Sequence, residues 1–188
     1  LTRLLDNDSP RQDYVENQCT IIGIEDSTTF CFTIIDTSGS SYAEQSLLLL
    51  SNAKAALPGS LVMLYDNQLV ALFHAPNFDS FIITNQLAKL KAFCIQYECT
   101  AYRSNVFFSI EDLHVAYEQA TATREYRNAI DNSMAINGVS ERIPIYRFTD
   151  VFVFLLGDSR KTAQHLIEFT AENSHLDIIE RLQLDNKV

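Results

Sequence analysis

The chain has 188 residues, of which 47% are hydrophobic and 20% are charged, and its formal net charge is −10. This composition supports one substantial domain with a buried core and argues against disorder. Because the chain has only 14 basic residues and 24 acidic ones, direct binding to nucleic acid or to an anionic membrane surface is disfavoured. No apolar run approaches the roughly 20 residues that cross a bilayer, so we expect a cytoplasmic protein with no membrane partner.

The first part of the chain predicts two short helices followed by a buried strand. Residues 1–5 form a short helical piece, and residues 11–22 form a second helix that ends at Gly23, a suitable residue after a helix. Residues 28–35 (TTFCFTII) are β-branched and aromatic on both alternating faces. This pattern is typical of a central strand that is covered on both sides.

A third helix and a β-hairpin follow. The capping-box pattern at 41–44 predicts a helix that ends before Pro58. Two apolar runs, 61–65 and 69–74, then form the hairpin. Its tip carries one acid and two amides but no glycine. The tip residues are Tyr65, Asp66, Asn67 and Gln68.

The next segment predicts another helix, a strand and a well-capped helix. The first of these begins at Asn77 or Asp79, and residues 93–99 then alternate as in a half-buried strand. Ser109 caps a helix over 110–127. Beyond it the sequence predicts a loop rich in Asn and Ser.

A short strand at 142–148 and further helices over 149–184 complete the predicted elements. The central order is β-α-β-β-α-β, which is the ferredoxin-like arrangement of an antiparallel sheet with helices on one face. The fold class is therefore α+β. We expect an α+β domain over 1–148 and a helical extension over 149–188.

The order of elements resembles the catalytic domain of nucleotide cyclases, including diguanylate cyclases. In those enzymes the hairpin tip carries Gly-Gly-Asp-Glu-Phe. Aligning that motif on this chain places the two glycines at Tyr65 and Asp66, the two acids at Asn67 and Gln68, and the phenylalanine at Leu69.

Three stretches of the chain each resemble a segment of one particular family. They are SIEDLHVAYEQATAT at 109–123, IYRFTDVFVFLL at 145–156 and FTAENSHLDIIERLQLDNKV at 169–188. Each resembles a segment of the degenerate, GGDEF-like domain of PucR/CdaR-type bacterial transcription regulators. The resemblance implies a homodimer, a helix-turn-helix domain after Val188 and a sensory domain before Leu1.

The hairpin tip lacks what cyclase chemistry requires. Mg²⁺ prefers carboxylate and phosphate oxygens, and phosphates need close backbone approach, which glycine permits. Asn67 and Gln68 are neutral, and Tyr65 and Asp66 carry side chains where the active enzymes have glycine. Asp36 and Asp66 could supply metal carboxylates, although an Asp at a strand end such as Asp36 more often forms a turn. We therefore expect no catalytic residue, no metal and no cofactor.

Two other interpretations stay open. The neutral hydrogen-bonding groups of Tyr65, Asn67 and Gln68, together with Asp36 and Asp66, could contact an unidentified small-molecule effector, whereas the simpler interpretation is a solvated turn. The helices at 149–156 and 160–172 could form a helix-turn-helix, but the first is too apolar for an exposed helix. DNA binding is thus expected only through a domain absent from this chain.

Overall fold

The computed structural model of the chain describes residues 2–5, 12–24, 27–38, 45–76, 80–136 and 143–151. All of them belong to one compact unit, Leu1–Val151. The capping box at 41–44, the helix start at Asn77 or Asp79, and the helical extension beyond Val151 lie outside the described residues.

Six α-helices occur within the described ranges: α1 Thr2–Leu5, α2 Gln12–Ile22, α3 Ser46–Ala56, α4 Ser80–Gln96, α5 Leu113–Glu125 and α6 Arg127–Ile136. Five strands occur in the same ranges: β1 Ser27–Asp36, β2 Ser60–Tyr65, β3 Gln68–Pro76, β4 Thr100–Phe107 and β5 Ile145–Arg147. Among the described helices, none combines the length and the apolar character that spanning a membrane would require.

The described strands form one sheet in the order β2-β3-β1-β4-β5. β1 lies antiparallel to both β3 and β4, β2 lies antiparallel to β3, and β5 lies parallel to β4. Strands β1 to β4, with α3 and α4 between them, follow the β-α-β-β-α-β order. This confirms the α+β, ferredoxin-like fold that the sequence predicts.

Helices cover both faces of the sheet, which corrects the expectation of helices on one face. Alternate residues of a strand point to opposite faces. Cys31 and Ile35 of β1 pack with α3 and α4, whereas Phe32 and Ile34 pack with α1 and α5. Because β1 lies between two helical layers, every residue from Thr29 to Ile35 is buried. The prediction of a central strand covered on both sides is confirmed.

α4 continues through part of the segment 93–99, so the strand predicted there was wrong. Phe93 and Cys94 are buried and extend the helical spacing set by Leu90. Ile95, which an alternating strand would bury beside Phe93, is 63% exposed. A few alternating apolar residues also fit one side of a helix, and the three- and four-residue spacing of the longer segment decides in favour of the helix.

α4 ends in a Schellman motif built on a residue other than glycine. Glu98 has a φ of 55°, in the left-handed region. The backbone N–H of Cys99 donates to the carbonyl oxygen of Cys94 at 3.0 Å, the bond that defines this motif. The chain then enters β4 at Thr100, later than the alternation predicts.

Ser109 caps the helical segment after β4, as predicted. Its Oγ accepts a hydrogen bond from the N–H of Glu111 at 3.3 Å, and a 3-10 turn, Ile110–Asp112, leads into α5. The predicted loop rich in Asn and Ser was wrong in its first part, since α6 occupies it. Ile130 is buried and anchors α6, so tertiary packing outweighs the weak helix propensity of Asn and Ser.

Candidate functional site

The sheet brings the site residues named from the sequence together at one of its ends. Ile35 pairs with Leu69, so Asp36, at the end of β1, lies beside Gln68, at the start of β3. Tyr65 pairs with Gln68 across the hairpin. We call this set the hairpin edge. Its members are Asp36, Tyr65, Asp66, Asn67 and Gln68.

The geometry of the turn explains why the tip needs no glycine. Asp66 has a φ of 47° and Asn67 a φ of 58°. A two-residue hairpin loop with both central residues in the left-handed region is a type I′ turn. After glycine, Asn and Asp are the residues that best tolerate this conformation. Both side chains are exposed, so they form the turn while leaving their polar groups in solvent.

Two side chains of the hairpin edge have contacts that serve the fold. Tyr65 is half-buried and meets Tyr117 of α5 edge-to-face, with ring centroids 5.4 Å apart. Asp36 Oδ1 accepts a hydrogen bond from the N–H of Ser38 at 2.8 Å, as expected of an Asp that forms the turn after a strand.

Gln68 differs from the other residues of the hairpin edge in having a buried, unpaired polar atom. The residue is half-buried, and its Oε1 is buried without a hydrogen-bond donor among the described residues. Leaving such an acceptor unpaired costs ~1–3 kcal/mol. A hydrogen-bond donor on a bound molecule, or on a residue outside the described ranges, would remove that cost.

A second polar cluster, which the sequence does not predict, joins β4, β5 and α6. Tyr102 stacks on Tyr146 with ring centroids 5.5 Å apart. Arg127 Nη1 donates to Tyr102 Oη at 3.3 Å, and Tyr146 Oη donates to Asp131 Oδ1 at 2.5 Å. Arg127 and Asp131 also form an ion pair at 3.5 Å. We call these four residues the tyrosine–arginine cluster.

Burial and neighbouring charges set the protonation of the two tyrosines. Burial raises the pKa of Tyr102; Arg127 opposes this shift, and the carboxylate of Asp36 adds to it. Burial, together with the hydrogen bond to Asp131, raises the pKa of Tyr146 to about 12. Both hydroxyl groups are therefore protonated at neutral pH. The influence of Asp36 on Tyr102 places the end of β1 within electrostatic reach of the cluster.

Little in the sequence could have revealed this cluster. Its four residues come from three elements that are far apart along the chain, and a spacing rule connects only Arg127 and Asp131, at i and i+4 on a helix. The sequence predicts a helix that ends at Arg127, whereas Arg127 begins α6.

The fold and the hairpin edge together define an α+β domain of the ferredoxin-like class. Within the described ranges, no three side chains of His, Cys, Asp or Glu come together in a way that could hold a metal ion.

The chain is similar to a solved structure, the regulator of polyketide synthase expression from Bifidobacterium adolescentis, with a TM-score of 0.47 and 18% sequence identity. The match covers 85% of this chain and 61% of that one, so this chain spans less than two thirds of that regulator's length. No protein-family model matches the sequence, and no curated protein matches it.

Proposed function

We propose that this chain is a non-catalytic regulatory and dimerisation domain of a bacterial transcription regulator of the PucR/CdaR type. The observation that carries the proposal is the composition of the hairpin edge. A cyclase-like order of strands and helices brings Asp36 beside the tip, yet the residues at the two acidic positions of the motif are Asn67 and Gln68.

The conformation of the tip supports this proposal. Tyr65 and Asp66 occupy the two glycine positions of the motif, and Asp66 adopts one of the two left-handed conformations of the turn, so side chains stand where a triphosphate would need close backbone approach. Asp36 already accepts a backbone hydrogen bond from its own turn. A metal-bound triphosphate would thus meet amides and a carboxylate engaged in turn formation.

The tyrosine–arginine cluster supplies a route by which such a domain could transmit a signal. It fixes β5 to the sheet and to α6, and β5 runs directly into helical residues 148–151. In our proposal, a change in the domain or its dimer alters this attachment and thereby the presentation of DNA-binding helices that follow in the family. DNA contact belongs to those helices, and a dimer suits two half-sites.

The catalytic part of the proposal is tested by incubating the chain with Mg²⁺ and either GTP or ATP. We expect no cyclic mononucleotide or dinucleotide product, while an active diguanylate cyclase run in parallel forms its product from GTP. Product formed by this chain, and lost in an Asp36→Asn variant, would overturn the non-catalytic assignment.

Light scattering tests the dimerisation part separately. We expect the mass of a dimer at micromolar concentrations, and a monomer throughout that range contradicts the proposed pairing without affecting the catalytic test.

The buried Oε1 of Gln68 favours a second candidate function, the sensing of a small molecule at the hairpin edge. Calorimetric titration with GTP and ATP in the absence of metal tests it for nucleotides. Binding that is lost in Gln68→Met and kept in Gln96→Met, an exposed control on α4, would support sensing. Identical isotherms for both variants would exclude a role for Gln68.

A further inference from the structure

An open cleft of about 420 Å³ lies at the end of the sheet opposite to the hairpin edge. At this end β3 extends beyond β2. Ser60, the first residue of β2, pairs with Phe73, whereas β3 continues to Pro76 with pairing only to β1. The volume lies within the range of roughly 300–1,000 Å³ that is usual for small-molecule sites.

Gln86 of α4 is the central polar group of this cleft. The residue is only 7% exposed, and its Nε2 donates to the carbonyl oxygen of Gly59 at 2.8 Å. Because a carbonyl oxygen only accepts, this bond fixes which end of the amide is nitrogen. Oε1 is left buried, with no donor among the described residues. Such an acceptor calls for a hydrogen-bond donor, which ordered water or a bound molecule can supply.

A cation and a second hydrogen-bonding group complete the cleft. Ile82, Gln86 and Lys89 share one face of α4 at i, i+4 and i+7, so an apolar wall, the amide and an exposed ammonium follow one another. His74 lines the opposite side, where its Nδ1 shares a hydrogen bond of 2.8 Å with Ser27 Oγ. Burial lowers the pKa of His74, so the imidazole is neutral at physiological pH.

We propose that this cleft binds a small carboxylate that also carries a hydroxyl or N–H donor. The donor pairs with Gln86 Oε1, the carboxylate lies near Lys89, and His74 offers a neutral hydrogen-bonding group to a second polar atom. The cleft uses none of the hairpin-edge residues. The proposal therefore does not depend on whether the hairpin edge is catalytic or regulatory.

The first test uses glycerate, L-serine and L-glutamine as probes, with propionate and glycerol as matched molecules that lack the donor or the carboxylate. NMR spectra of the ¹⁵N-labelled chain report the Gln86 side-chain amide and the Gly59 backbone amide. We expect saturable shifts of these signals with at least one probe and binding of propionate and glycerol that is weaker by about tenfold or more. If no probe produces saturable shifts, the amide is satisfied by water and the proposal is overturned.

Matched variants test the assignment of the two cleft side chains. We expect Gln86→Met and Lys89→Met each to weaken binding of the active probe by about tenfold, the factor that about 1.4 kcal/mol represents. Gln96→Met and Lys91→Met, which alter exposed residues of the same helix outside the cleft, should leave binding unchanged. If Gln86→Met does not fold, the Lys89→Met variant, which alters an exposed residue, tests the cleft assignment. Equal weakening by Lys91→Met would mean that the anion binds without a specific site, contrary to the proposal.

Discussion

Tyr146 shows how a single side chain can join three elements. Its ring stacks on Tyr102 of β4, and its hydroxyl group donates to Asp131 of α6. The stacking and the hydrogen bond use different parts of the side chain, so they can be separated by substitution. Phenylalanine keeps the ring and removes the hydroxyl group.

We predict that Tyr146→Phe lowers the free energy of unfolding by about 1 kcal/mol, since the lost hydrogen bond has a charged acceptor. The loss stays modest because the Asp131 side chain is 41% exposed and water can replace the phenol. Chemical denaturation of Tyr146→Phe, Asp131→Ala and the double variant forms a cycle that isolates the pair, because alanine has no acceptor for the phenol. Strictly additive effects would show that the two residues do not interact.

His74 gives a prediction about pH. Burial lowers the pKa of His74 from the ordinary value of 6.5, so His74 binds a proton more weakly in the folded chain than in the unfolded chain. The stabilisation from this neutral imidazole is complete above pH 6.5 and is lost as the pH falls through the lowered, folded-state pKa. We predict that stability declines over this window and that His74→Asn flattens the decline. A decline as steep in His74→Asn as in the unaltered chain would refute the assignment.

At the scale of elements, the sequence predicts best where one pattern covers a whole element. β1 is apolar on both faces along its length, and the hairpin is two apolar runs around a short polar tip, so both follow from local chemistry. The segment 93–99 fails because its alternation is brief, while the buried partners that decide its conformation lie in distant strands. The same limit explains α6, which Ile130 anchors through tertiary contacts.

The end of α4 provides a test at this scale. Glu98 adopts a φ of 55°, which costs a residue with a Cβ about 1–2 kcal/mol relative to its preferred conformations. We predict that Glu98→Gly raises the free energy of unfolding by about 0.5–1 kcal/mol, because glycine fits this position but gains freedom in the unfolded chain. Glu118→Gly, an exposed control inside α5, should instead lower it by about 1 kcal/mol. A loss of stability in both variants would show that the side chain of Glu98 matters more than its backbone.

For the whole molecule, the order of elements was enough to predict the ferredoxin-like sheet, and the tip sequence was enough to name the hairpin edge. Neither the tyrosine–arginine cluster nor the cleft could be predicted, because each assembles residues from elements that only the sheet order brings together. One signal for the cleft was present in the sequence. Gln86 is a polar residue on the otherwise apolar buried face of α4, between Ile83 and Leu90.

The net charge of −10 on each chain bears on the proposed dimer. Two copies repel each other at low ionic strength, and at 0.1 M salt this repulsion is largely screened between charges more than ~10 Å apart, the Debye length. We predict that dimerisation, followed by light scattering, strengthens as sodium chloride rises from low to physiological concentration. A dimer that dissociates with added salt would instead be held by ion pairs between the copies.

The position of β5 at the margin of the sheet affects how readily this strand detaches. It contributes three paired residues at the margin of the sheet, next to β4, and it enters from a part of the chain far beyond β4. Detaching it would leave all pairing among the four antiparallel strands intact, so its amides should exchange with deuterium through partial opening, well before those of β1. A small free-energy gap between attached and detached forms is what a domain needs if it is to switch state without denaturing.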